Sequence, residues 1–95
     1  MIAEFSIVPL DQGESLSSAV AEAFNVIEMS GVPYEHHAMG TNLEGSWHDV
    51  MGVIRACRDR LLETSARVSL SIRIDDRKGA TDRLTKKVAA AKAKM

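Results

Sequence analysis

Three histidines are the first residues in this 95-residue chain whose types suggest chemistry. His36 and His37 are adjacent, so on a strand their side chains would point to opposite faces and would not share one metal ion. His48 stands at the start of a predicted helix and has no second ligand four residues later. This spacing favours ordinary polar histidines over a metal site.

The single cysteine, Cys57, excludes an internal disulfide framework and cannot form a cysteine zinc site alone. It falls within the apolar stripe of a predicted helix, where a thiol behaves as a small inert hydrophobic group. No Ser-His-Asp spacing is distinctive, and nothing else in the chain compels an enzyme. We therefore predict no catalytic residue, no metal and no cofactor.

Four strands are predicted to carry these residues. Clean alternation indicates strands at 2–8 and 67–74, and the first of them ends at Pro9. Residues 34–45 are too short and too rich in glycine for a helix, and they predict two short strands with a turn near Met39-Gly40.

Three helices complete the pattern. Helical spacing of apolar residues predicts one from about 16 to 30, capped by Ser15 and ended by Gly31, after a turn at Asp11-Gln12-Gly13. The apolar stripe predicted for this first helix comprises Leu16, Val20, Ala23, Phe24 and Ile27. A second begins after Ser46, and a third runs from about 80 to 93. The stripe predicted for the second helix comprises Trp47, Val50, Met51, Ile54, Cys57, Leu61 and Leu62, and that for the third comprises Leu84, Val88 and Ala91.

The element order β-α-β-β-α-β-α predicts an α+β fold. Its first six elements match the split β-α-β unit of a ferredoxin-like sandwich, which has two helices on one face of an antiparallel sheet. We expect one such domain over residues 1–95, with an additional C-terminal helix. The outer sheet face is predicted to be amphiphilic and suited to binding or subunit pairing; its members are Glu4, Ser6, Val8, Arg67, Ser69, Ser71 and Arg73.

Charge is divided unevenly along the chain. Residues 1–54 contain eight acidic residues and no Lys or Arg, whereas residues 55–95 carry all 12 basic residues. The halves either interleave in space, so that the charges average out, or take part in recognition. The net charge of −1 and the 4% aromatic content argue against nucleic-acid binding. No apolar run approaches the roughly 20 residues of a membrane helix, and no signal peptide is evident, so we expect a cytoplasmic protein.

Three stretches carry a family resemblance: SIVPL at 6–10, MGTNLEG at 39–45 and RVSLSIRIDDR at 67–77. The chain resembles the small ferredoxin-like thiamine-binding proteins, once grouped as uncharacterised cytosolic proteins. The matching positions are Pro9-Leu10, Tyr34, Met39-Gly40-Thr41 with Glu44-Gly45, Arg67-Val68, Ile74-Asp75 with Arg77, and Lys87-Val88. Ala38 and His36 depart from the family pattern, which usually has proline and an apolar residue there.

The resemblance implies binding of thiamine or its hydroxymethyl-pyrimidine part without turnover, by a homo-oligomer that is often a tetramer. An aminopyrimidine offers an amine donor and ring-nitrogen acceptors, which a carboxylate and hydroxyls suit. Ser6, Thr41 and Glu44 would then supply the polar contacts, with Glu44 accepting from the ligand's amine. Met39 and Trp47 would supply a soft or aromatic wall.

Each of these five residues also has a purely structural interpretation. Ser6 would fill the outer sheet face, Thr41 would serve the turn, and Glu44 would favour the adjoining helix N-terminus. Met39 and Trp47 would belong to the core. Two other functions stay open: a regulatory or structural oligomer that binds another small ligand, and an enzyme acting on a thiamine-related compound.

Overall fold

The computed structural model describes residues 1–11, 17–79 and 81–95. Its elements are, in order, β1 (Ile2–Pro9), α1 (Ser17–Met29), β2 (Tyr34–His37), β3 (Gly40–Glu44), α2 (Trp47–Leu62), β4 (Val68–Asp75) and α3 (Arg83–Ala93). The strands form one antiparallel sheet in the order β2-β3-β1-β4. This is the predicted ferredoxin-like arrangement with an added C-terminal helix.

Some predicted features lie outside the described residues. They are the Gln12-Gly13 part of the first turn, the expected cap Ser15, and the stripe residue Leu16. The end of the same helix is described: Gly31 has the left-handed φ of 78° that a helix-terminating glycine adopts.

The inner face of the sheet packs against α1 and α2 and forms the core. Residues opposite one another in register share a face, so Ala3 lies beside Leu43 and Phe5 lies beside Thr41. These four side chains are almost completely buried. The helices cover them with Ala23 and Ile27 of α1 and Val50, Val53, Ile54, Cys57 and Leu61 of α2.

Helix α2 begins as predicted, because the backbone N–H of Asp49 donates to Ser46 Oγ at 3.1 Å. Of its predicted stripe, Val50, Ile54, Cys57 and Leu61 are buried, whereas Met51 and Leu62 are half-buried; Val53, outside the predicted stripe, is buried as well. The prediction is wrong for Trp47, whose side chain is 61% exposed. Trp47 is the first residue of the helix, and its position at the helix end leaves it outside the core that the later turns cover.

The outer face has the predicted composition. Glu4 lies opposite Arg73, Ser6 opposite Ser71, and Val8 opposite Ser69. The third helix differs from its prediction: it begins at Arg83, no residue of it is buried, and Val88 of its expected inner side is half exposed. Polar contacts with the sheet must therefore contribute strongly to holding α3 in place.

Strand β4 forms one edge of the sheet and is poorly covered. Its inward-facing Ile72 and Ile74 remain 37% and 40% exposed, because α1 and α2 pack mainly over the other strands. Such an edge presents unpaired backbone groups together with apolar side chains, a combination that favours pairing with another strand.

Candidate functional site

A cavity of about 190 Å³ opens between α1 and the sheet, beside the β2–β3 turn, and is called the α1 cavity below. One wall is formed by the α1 residues Val20, Ala23, Phe24 and Ile27. The opposite wall is formed by residues 5–8 of β1 and residues 37–41 of the turn and adjoining strands. The lining is mostly apolar, as is usual for small-molecule sites.

The α1 cavity brings together three of the five predicted ligand residues: Ser6, Met39 and Thr41. Met39 is 81% exposed and stands at the mouth, so its core interpretation is wrong. Glu44 and Trp47 do not line this cavity.

Thr41 is buried at the cavity wall and is positioned by a histidine. Its Oγ1 lies 3.0 Å from His36 Nδ1, and the His36 ring stacks on Phe24 with centroids 3.7 Å apart. His36 Nε2 is buried with no hydrogen-bond partner among the described residues, and Glu28 Oε1 lies 3.5 Å away. That carboxylate favours a proton on Nε2, so we assign the Thr41 hydroxyl as the donor to Nδ1.

His37 points to the other face of the sheet, as its place beside His36 predicts. The backbone N–H of Met39 donates to His37 Nδ1 at 3.3 Å, so the ring proton is on Nε2. This proton is directed at Asn42 Oδ1, 3.1 Å away, and Glu4 Oε2 lies 3.5 Å from the same nitrogen. Both ring nitrogens are therefore engaged within the protein.

The Glu44 carboxylate binds the N-terminus of α3. Its Oε2 accepts from the backbone N–H of Arg83 at 2.6 Å, and its Oε1 accepts from that of Leu84 at 3.4 Å. Asp82 occupies the N-cap position in a left-handed conformation, with φ 55°, and makes no capping bond with its side chain. Glu44 thus replaces the missing cap from 39 residues away and is buried in doing so.

A second carboxylate fixes the same helix. Asp75 accepts from both terminal nitrogens of Arg83, at 2.9 and 2.7 Å, and from Lys87 Nζ at 2.5 Å. The Arg83 guanidinium, followed by Lys87, holds the pKa of the Asp75 carboxyl well below its usual range. The contacts formed by this carboxylate therefore persist at neutral pH and are lost only in strong acid.

Cys57 is inert, as predicted. The side chain is fully buried, and its Sγ lies 3.7 Å from the carbonyl oxygen of Ala23. Burial raises the pKa of the thiol to about 11, which keeps it protonated at neutral pH.

Within the residues that the structure describes, no group of three His, Cys, Asp or Glu side chains is arranged to hold a metal ion. In the same part of the chain, no helix is long and apolar enough to cross a membrane.

The α1 side of the cavity was not predicted as a site. Val20, Ala23, Phe24 and Ile27 fit an ordinary core stripe, and helical spacing alone does not reveal that part of the stripe faces a gap. A usable signal was the difference in strand length: β1 has eight residues and its neighbour β3 has five. A long strand beside a short one leaves some of its length without a neighbour.

The fold and cavity define a small ferredoxin-like domain with a mostly apolar cavity of about 190 Å³ beside its sheet. A family model described as thiamine-binding protein matches residues 3–92. The chain therefore belongs to the thiamine-binding protein family, which confirms the resemblance found in its sequence.

Relatives and solved structures support this assignment. A UPF0045 protein of Mycobacterium tuberculosis is 39% identical over 94% of this chain and 88% of its own length. A hypothetical protein of Methanocaldococcus jannaschii has a crystal structure with TM-score 0.88 and 33% identity, covering 96% of this chain and 94% of that one. A Thermotoga maritima protein, described as a candidate for thiamine biosynthesis or salvage, shares the fold with TM-score 0.78 and 21% identity, covering 93% and 96% of the two chains.

Proposed function

We propose that this protein binds thiamine or its hydroxymethyl-pyrimidine part in the α1 cavity without catalysing a reaction. Its family and the cavity support this proposal. A cavity of roughly 150 Å³ in a protein core is known to take up benzene, so about 190 Å³ suits one substituted six-membered ring. The pyrimidine ring would occupy the cavity, and the thiazolium of thiamine would lie at the mouth beside Met39.

The charge of the surroundings is consistent with a cationic ligand. Every described residue that lines the α1 cavity falls between positions 5 and 41, in the half of the chain that has no Lys or Arg. Acidic residues of that half would attract a cation from solution, whereas a basic wall would repel it.

The chemistry of the lining favours binding over turnover. Among the described residues that line the cavity, the titratable one is His37, and both of its ring nitrogens are already occupied by Met39 and Asn42. General acid or base catalysis needs a side chain free to exchange a proton with the ligand.

A thermal-shift panel with thiamine, its phosphates and the free pyrimidine tests this proposal. A ligand at about 100 times its dissociation constant stabilises the folded state by about 2.7 kcal/mol, which raises Tm by about 10 °C or more in a chain of this size. We expect thiamine or the pyrimidine to produce this shift, and an assay for products to detect none.

A filled cavity provides the control for that panel. Val20 is half exposed at the α1 wall, so Val20→Trp should place a large ring in the cavity and abolish the shift. Ala21 is exposed on the same helix and does not line the cavity, so Ala21→Trp should leave the shift intact. An equal shift in both variants would contradict the α1 cavity as the site.

We also propose that the protein is a homo-oligomer, most simply a tetramer. The uncovered edge of β4 with Ile72 and Ile74, and the amphiphilic outer face with Arg73 exposed, support association with a second copy. Light scattering at micromolar concentration should give a mass of about four chains.

A charged edge should reduce that mass. Ile72→Lys places an ammonium on the β4 edge and is expected to dissociate the copies that pair there. Arg55→Lys, on an exposed part of α2, is the matched control and should keep the original mass. A monomeric mass for the unsubstituted protein would contradict the proposal.

A further inference from the structure

Strand β1 extends beyond its neighbour on one side. It pairs with β4 along its full length, from Ile2 to Pro9. Its pairing with β3 ends at Phe5 opposite Thr41. Among the described residues, the last part of β1 therefore has a neighbouring strand on the β4 side alone, and its other side opens into the α1 cavity.

The direction of the backbone groups follows from the hydrogen bonds at the two ends of β1. Along a strand, the N–H and C=O of successive residues alternate between the two sides. Met1 accepts from the N–H of Gly45 after β3, whereas Leu10 donates to the carbonyl of Arg67 before β4. Odd-numbered residues of β1 therefore face β3, and even-numbered ones face β4.

Ile7 is odd-numbered and lies just past the end of the β3 pairing. Its N–H and C=O thus point toward the β2–β3 turn, and neither has a partner among the described residues. Pro9 fits the same geometry. Its nitrogen faces the open side of β1, where no described strand lies, so the missing N–H of proline removes no strand–strand hydrogen bond. Ile7 itself lines the α1 cavity.

We propose that the paired N–H and C=O of Ile7 recognise the amino-azine edge of the ligand, the N=C–NH₂ unit in which a ring nitrogen adjoins an exocyclic amine. This inference rests on the proposed function and adds which chemical feature of the ligand the protein recognises. The ring nitrogen accepts from the Ile7 N–H, and the amine donates to the Ile7 C=O. The ligand edge thereby takes the place of the strand residue that would exchange both bonds with Ile7.

The other residues of the cavity are consistent with a contact between Ile7 and the edge of the ligand ring, in the plane of that ring. Apolar side chains of α1, Phe24 among them, provide a wall for the face of a flat ring. The Thr41 hydroxyl is engaged with His36, and His37 is engaged with Met39 and Asn42. The backbone of Ile7 supplies an adjacent donor and acceptor that no other described residue uses.

Two pyrimidines that differ in one edge test the proposal. The probe is 4-amino-5-hydroxymethyl-2-methylpyrimidine, and its comparison is the 4-oxo analogue, in which the ring nitrogen carries hydrogen and the exocyclic atom accepts. The Ile7 N–H would then face another hydrogen-bond donor, and the Ile7 C=O would face another acceptor. We expect calorimetric titration to show about tenfold or greater loss of affinity for the 4-oxo compound.

Hydrogen exchange locates the contact. In the free protein the Ile7 amide should exchange quickly, and saturation with the 4-amino compound should slow its exchange by about tenfold or more. The Ile72 amide, which faces away from β1 on the free edge of β4, is the control and should not respond to the ligand.

A backbone substitution provides an independent measurement. Ile7→Pro removes the N–H without removing a strand–strand hydrogen bond and should weaken binding of the 4-amino compound about tenfold or more. Ile7→Val keeps the N–H and should bind within about threefold of the unsubstituted protein. If the proline variant does not fold, the two pyrimidines and the exchange rates still decide.

The outcomes separate this inference from the proposed function. Binding of the 4-amino compound with unchanged Ile7 exchange, or with equal affinity for the 4-oxo compound, overturns the role of Ile7 and leaves the proposed function standing. Failure of the 4-amino compound to bind, with thiamine still bound, overturns the role of Ile7 alone, and failure of both compounds to bind overturns the proposed function as well.

Discussion

Replacing Gly40 with alanine is expected to destabilise the protein by about 2 to 3 kcal/mol. A Cβ at this position would lie 2.5 Å from the carbonyl oxygen of Phe5, a backbone atom that cannot turn away. Relief of this clash requires the β2–β3 turn to move away from β1, which distorts the α1 cavity as well. Chemical denaturation of the two proteins measures the loss of stability, and ligand titration measures the loss of affinity.

Gly52 gives a matched control for the Gly40 substitution. It lies within α2, and a Cβ built there meets no atom within 4 Å. Gly52→Ala should therefore stabilise the protein by about 0.5–1 kcal/mol, because alanine loses less conformational entropy in a helix. If Gly40→Ala were as harmless as Gly52→Ala, the close approach of the turn to β1 would be contradicted.

Substitution of Glu44 with glutamine should weaken the protein but not its ligand binding. Glutamine keeps the shape and removes the negative charge that accepts from two backbone N–H groups of α3. We expect a loss of about 1–2 kcal/mol in stability, the range for charged hydrogen bonds and helix caps. Affinity for thiamine or the pyrimidine should be unchanged, since Glu44 does not line the α1 cavity.

Asp82 is the control for Glu44, because it is a carboxylate at the same helix end without a capping bond. Asp82→Asn is tolerated by the left-handed backbone and loses only an exposed contact with Lys86, so its effect should stay below about 0.5 kcal/mol. Melting curves and calorimetry on both variants complete the comparison. A loss of ligand affinity in Glu44→Gln would return Glu44 to the binding site.

Local pattern was sufficient to predict the sheet and its faces. The alternation of apolar and polar residues in β1 and β4 correctly placed Glu4 and Arg73 on one face and Phe5 and Ile72 on the other. Because successive side chains of a strand point to opposite faces, only one assignment of the faces buries the apolar set. The adjacent histidines were correctly placed on opposite faces for the same reason. The Ser46 cap was predictable because capping depends on residues close in sequence.

Contacts between distant parts of the chain were not predictable in this way. Glu44 meets the start of α3 from 39 residues away, and no local spacing records that meeting. The exposure of Trp47 depends on where the core ends, which helical periodicity does not specify. The role inferred for Ile7 is harder still to read, since it belongs to the backbone and follows from a difference in strand length.

Pro9 limits how far a strand can pair with the open side of β1. If the β2–β3 hairpin were longer, each additional residue pair beside β1 would cover more of the α1 cavity. A residue pair at Pro9 would lack a hydrogen-bond donor, because the proline nitrogen carries no hydrogen, and the proline ring would occupy the space of the incoming strand. A strand on this side of β1, from a longer β2–β3 hairpin or from another molecule, therefore cannot form a complete hydrogen-bonded pair beyond Ile7.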